Sequence, residues 1–88
     1  MGNAVKIGDN DTGHGSYPPT SVVTGSSTVK VDGLPLARQG DPLAPHGHSR
    51  TISGGSSSVF IDGKSAARTG DTVSGGGALI GGGSVTIG

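Results

Sequence analysis

The residues best suited to chemistry in this chain are its only three histidines, His14, His46 and His48. Counting five residues on from the aspartates of Gly8-Asp9 and Gly40-Asp41 reaches His14 and His46, and the same count from Gly70-Asp71 reaches Gly76. His48 lies two beyond His46, a spacing that puts both imidazoles on one side of an extended chain. Imidazole nitrogens suit zinc, and three of them leave a fourth tetrahedral position for water or another protein group. The spacing therefore predicts a metal centre of His14, His46 and His48, holding zinc, with iron as the alternative metal. Asp11 is a candidate for the fourth position through its nearness to His14. The competing reading is three solvated loop histidines.

Other polar positions recur without calling for catalysis. Asp9, Asp41 and Asp71 each follow a glycine at the end of a strand-like segment, the place of a turn-closing aspartate. Lys6, Arg38 and Arg68 stand two residues before those glycines, where an anion site competes with solvated or strand-edge charge. The GGGALIGGG run, residues 75–83, lacks the lysine that follows a phosphate loop and reads as a close-packed loop and hairpin. A small zinc hydrolase or hydratase is the enzymatic alternative, since an open metal position activates water. Against it, the chain has no glutamate, which leaves only six aspartates as carboxylate bases.

The elements that must position the histidines are short strands. Valine and isoleucine supply 13 residues against four leucines, and no stretch keeps a helical apolar period. Candidate strands cover residues 5–7, 22–23, 29–31, 59–61, 79–80 and 85–87. In four of them, apolar residues two apart share one face: Val5 and Ile7, Val29 and Val31, Val59 and Ile61, Val85 and Ile87. Gly-Ser-rich segments at 25–28, 55–58 and 81–84 each lead into a Val-x-apolar strand and read as hairpin turns.

Writing residues 27–41 (STVKVDGLPLARQGD) above residues 57–71 (SSVFIDGKSAARTGD) gives eight identities in 15 positions, an internal repeat. A third copy is split, with Val85 and Ile87 opening it and Lys6, Gly8 and Asp9 closing it. A unit broken across the termini predicts pseudo-threefold symmetry and first and last strands that lie side by side, where a linear solenoid would separate them. The expected fold is all-β, a single domain over residues 1–88.

With 88 residues the chain has little room for a large core or a deep catalytic cleft. A metal clip between loops would supply stability that 19 glycines and five prolines do not. Six basic residues balance six acidic ones and Tyr17 and Phe60 are the only aromatics, which argues against nucleic acid as a partner. No apolar run approaches the length of a membrane span and no signal-peptide pattern is present, so the expectation is a protein made in the cytoplasm.

At Pro35-Leu36-Ala37-Arg38 and Ser65-Ala66-Ala67-Arg68 the repeat resembles the Pro-Ala-Ala-Arg signature of the PAAR-repeat family. Gly8-Asp9 with His14-Gly15, Gly40-Asp41-Pro42 with His46-Gly47-His48, residues 59–63 and the closing residues 85–88 support it, so the resemblance spans the whole chain. It implies a small cone of short β-hairpins with a blunt base and a metal near its apex. It also implies a structural protein, not an enzyme, that sits as a monomer on a trimeric VgrG-like spike of a type VI secretion system, or on the related spike of a contractile phage tail. Such proteins sharpen the spike for membrane piercing, without residing in the membrane, and connect effectors to it. The resemblance further implies export to the exterior or the target cell, or a place at a virion tail tip. Many members carry a cysteine in the third loop, where this chain has Ser74, Gly75 and Gly76, so the usual fourth ligand is missing. No extension follows Gly88, which points to separate effector proteins as cargo.

Overall fold

The computed structural model describes residues 2–13, 18–44 and 49–88. Among them there are eight strands of two residues each and no helix: β1 (Gly2–Asn3), β2 (Lys30–Val31), β3 (Leu34–Pro35), β4 (Pro42–Leu43), β5 (Arg50–Thr51), β6 (Phe60–Ile61), β7 (Lys64–Ser65) and β8 (Thr86–Ile87). All pair antiparallel, as β2 with β3, β4 with β5, β6 with β7, and β1 with β8.

The Val-x-apolar-Asp-Gly strings make the hairpins. Asp32 and Gly33 have φ of 54° and 82°, and Asp62 and Gly63 have φ of 53° and 80°. Two successive left-handed residues form the type I′ turn whose twist matches paired strands, and aspartate followed by glycine tolerates it. Val31 is thereby set opposite Leu34, and Ile61 opposite Lys64. The β1–β8 pair repeats this register, with Ile87 opposite Gly2 and Thr86 opposite Asn3. The first and last strands therefore lie side by side, as the split third copy requires and a linear solenoid forbids.

The segments at 25–28 and 55–58 are not hairpin turns. The hydroxyl oxygens of the buried Ser26 and Ser56 accept from the backbone N–H of Thr28 and Val29, and of Ser58 and Val59, which bends the chain into the next strand. Of the candidate strands, Val5, Val22 and Leu79 enter no two-residue strand. Lys6, Val22 and Leu79 pair only through isolated bridges, to Leu36, Leu43 and Asp11.

The core divides in two. On the hairpin side Ala4, Val31, Leu36, Ala66 and Ile87 pack together with Val29, Val59 and Ile61 against them. On the loop side lie Val5, Val22, Ala37, Leu43, Ile52, Ala67, Val73 and Leu79. The molecule measures 32 × 22 × 21 Å, one long axis and two nearly equal short ones.

Candidate functional site

Val5, Ala37 and Ala67 of the loop-side cluster, each one residue on from Ala4, Leu36 and Ala66 of the hairpin-side cluster, meet in a closed ring of backbone hydrogen bonds. Val5 N–H donates to the Ala67 carbonyl at 3.3 Å, Ala67 N–H to Ala37 at 3.0 Å, and Ala37 N–H to Val5 at 2.7 Å. All three residues are fully buried, and only small or slim side chains fit where three backbones approach this closely. Each is followed by a basic residue, so the segments 3–6, 35–38 and 65–68 occupy matching places. The copy Asn3-Ala4-Val5-Lys6 shares only its alanine and its positive charge with the signature, too little to stand out as a third signature in the sequence.

The turn after each segment is also triplicated. Gly8, Gly40 and Gly70 have φ of 93°, 93° and 94°, and the N–H of Asp9, Asp41 and Asp71 donates to the carbonyl of Lys6, Arg38 and Arg68 at 3.0 Å each. These are type II turns, whose third residue needs positive φ and hence glycine. Each aspartate also accepts from the backbone N–H of its basic residue and pairs with that side chain, at 2.8 Å for Lys6–Asp9, 3.0 Å for Arg38–Asp41 and 2.9 Å for Arg68–Asp71. The basic residues are thus neither solvated charges nor an anion site: they clamp the turn that precedes each loop. Burial raises the Asp9 carboxyl, but the Gly82 N–H and Lys6 outweigh it and hold the group below its ordinary value.

Beyond the turns lie three loops, described at residues 9–13 and 18–22, 41–44 and 49–52, and 71–79. Their roots match: Val22, Ile52 and Leu79 are buried, each donating its N–H to the aspartate carbonyl of its own loop at 2.9 Å. Two residues after each aspartate stand Asp11, Leu43 and Val73, all buried, two apolar and one charged. Two residues before each buried root stand Thr20, Arg50 and Gly77. Arg50 is fully buried and pairs with Asp11, which also accepts from Thr20 N–H at 3.0 Å. Burial pushes the Asp11 carboxyl up, and the hydrogen bonds from Arg50, Thr20 and Gly13 more than reverse this, so it stays below the usual carboxylate range.

Three matched segments, turns and loop roots are the signs of a repeat family, and the sequence profile of the family described as PAAR motif matches residues 12–81. The chain belongs to the PAAR motif family. No curated protein matches it. PAAR motif proteins are associated with the spike tips of type VI secretion systems and phage tails, where they are structural components. The structure extends the repeat of this PAAR protein past the matched residues, through β8 and β1.

The PAAR loops carry the candidate metal ligands. His14, His46 and His48 lie outside the described residues. Among the described residues no group of three or more histidine, cysteine, aspartate or glutamate side chains comes together, and there is no pocket. Asp11 does not serve as a spare ligand, because both of its carboxylate oxygens accept from Arg50. Sequence reasoning misses the Arg50–Asp11 pair. Its signal is an aspartate at the place where the other two copies of the repeat have Leu43 and Val73.

Proposed function

We propose that this PAAR protein caps a trimeric VgrG-like spike, or the related spike of a contractile phage tail, as a cone with pseudo-threefold symmetry. The observation that carries this reading is the closed ring of Val5, Ala37 and Ala67, with its three clamped turns and two nearly equal short axes. One chain with three similar sides can satisfy three identical subunits at once. The hairpin end is the seat: Leu34, Phe60 and Val85 expose apolar side chains there, next to strand edges that can extend a β-structured spike. His14, His46 and His48 hold zinc, or iron. The donor set suits this, being three neutral nitrogens with no thiolate, and a bound ion would cross-link the first two loops. The protein is made in the cytoplasm, leaves with the spike, pierces a target membrane without residing in it, and connects effectors to the spike.

Two experiments test this reading. A trimeric spike protein immobilised on resin is expected to retain the chain and to lose it when Leu34 and Phe60 are both replaced by aspartate; retention of the double variant would overturn the hairpin end as the seat. Elemental analysis of untagged protein purified without chelator is expected to give about one metal per chain, absent when His14, His46 and His48 are all alanine. Metal retained by that variant would remove the histidines from the site.

A further inference from the structure

The loop end contains a charged side chain that the repeat does not call for. Arg50 stands at a place occupied by Thr20 and Gly77 in the other two loops, so a long side chain, a short hydroxyl and no side chain share one level of the structure. Its guanidinium reaches all three loops. Nη1 donates to Thr20 Oγ1 at 2.6 Å and to Asp11 Oδ1 at 3.3 Å in the first loop, Nη2 donates to Asp11 Oδ2, and Nη2 also donates to the Gly76 carbonyl of the third loop at 3.3 Å. Arg50 itself belongs to the second. The third loop is shaped to admit it. Gly77 has φ of 98°, and a Cβ there would lie 2.6 Å from Asp11 Oδ2 and 3.2 Å from Arg50 Nη2.

We propose that Arg50 is a clasp that holds the three loops together without a bound ion. A planar fork with five N–H donors is the one side chain able to bridge three loops from one position, and lysine cannot replace it because its donors radiate from a single atom. Asp11 supplies the countercharge that makes the burial tolerable, and the hydrogen bonds between charged partners are the strong ones. The clasp fixes Asp11 and Thr20, which bracket residues 14–17, and comes just after residues 45–48 in sequence. The loop end is therefore closed at its base whatever the histidines bind, and this proposal stands independently of the metal.

The test is amide hydrogen exchange by NMR on the full chain and on Arg50→Lys, both in EDTA so that the histidine site does not enter. The informative amides are Thr12, which donates to the Ala78 carbonyl at 2.9 Å, and Ser74, which donates to Thr51 at 2.8 Å, since both bonds cross between loops. Their protection is expected to fall by about tenfold or more in the variant, while that of Leu36 and Ala66 on the hairpin side holds. Unchanged protection at Thr12 and Ser74, or an equal fall at all four amides, would overturn the clasp. Should Arg50→Lys not fold, Thr20→Val removes a single acceptor and is read at Ala44, whose N–H donates to Ser21 of the first loop at 2.8 Å. Lost protection there supports the clasp and unchanged protection refutes it.

Discussion

The hairpin end and the loop end solve the same geometric problem in different ways. From the hairpins through the ring to the turns, three segments are held by the same devices each time: one register of strand pairing, one ring of backbone bonds, and turns whose glycines agree to a degree in φ. Side chains there vary freely where they are exposed, as Lys30, Phe60 and Thr86 do. At the loop end the backbone roots still match, but the buried side chains diverge into Asp11, Leu43 and Val73, and into Thr20, Arg50 and Gly77. Backbone hydrogen bonding is indifferent to side-chain identity and can be repeated unchanged. Filling one shared space from three directions cannot be, because three large groups would collide and three small ones would leave a void.

That contrast is most sharply broken at Arg50. Arg50→Met leaves Asp11 buried without its partner and is expected to cost about 3–5 kcal/mol in denaturant unfolding, with most of it recovered when Asp11→Leu is added. A single-variant cost no larger than that of a surface substitution would mean the pair is not buried as described. Next, Ala37→Leu forces extra methylenes into the ring and is expected to cost about 1–3 kcal/mol, measured in the same way.

The repeated devices make a prediction of equality. A Cβ at Gly8, Gly40 or Gly70 would meet nothing within 4 Å, so the cost of alanine there is that of the left-handed backbone alone. Each substitution is expected to cost about 1–2 kcal/mol, and the three should agree closely. Unequal costs would show that the turns are less alike than their φ values.

The smallest effect is that of acid. The carboxyls of Asp9, Asp11, Asp32 and Asp62 all lie below the ordinary 3.8, Asp32 through its hydrogen bond from the Ser84 hydroxyl and Asp62 through those from Ser26 and Thr28. The folded chain thus binds fewer protons than the unfolded one, so this stabilisation is fully present above pH 3.8 and is lost as pH falls through the folded values. Unfolding free energy measured from pH 6 down to pH 2 should be flat at first and then decline below about pH 4.

Much of the hairpin end is legible in the sequence because its devices are local. Val-x-apolar-Asp-Gly specifies a strand and its turn within five residues, and Gly-Asp after a basic residue specifies the clamp. The split third copy can be read for the same reason, although Asn3-Ala4-Val5-Lys6 has drifted too far to show as a signature. Ser26 and Ser56 read wrongly as parts of hairpin turns, since a serine that caps a bend and one in a turn have the same composition around them. The Arg50–Asp11 pair is 39 residues apart in the chain and joins side chains that share no motif. Only comparison of Asp11 with Leu43 and Val73 exposes it, because an aspartate in an apolar slot requires a buried partner.

The proposed seating of one chain with three similar sides on one trimer is open to direct test. Native mass spectrometry of the chain mixed in excess with a trimeric VgrG-like spike tests it most directly. A single species of one chain per three spike subunits is expected, unchanged as the excess grows. Three chains per trimer, or no complex at all, would contradict it.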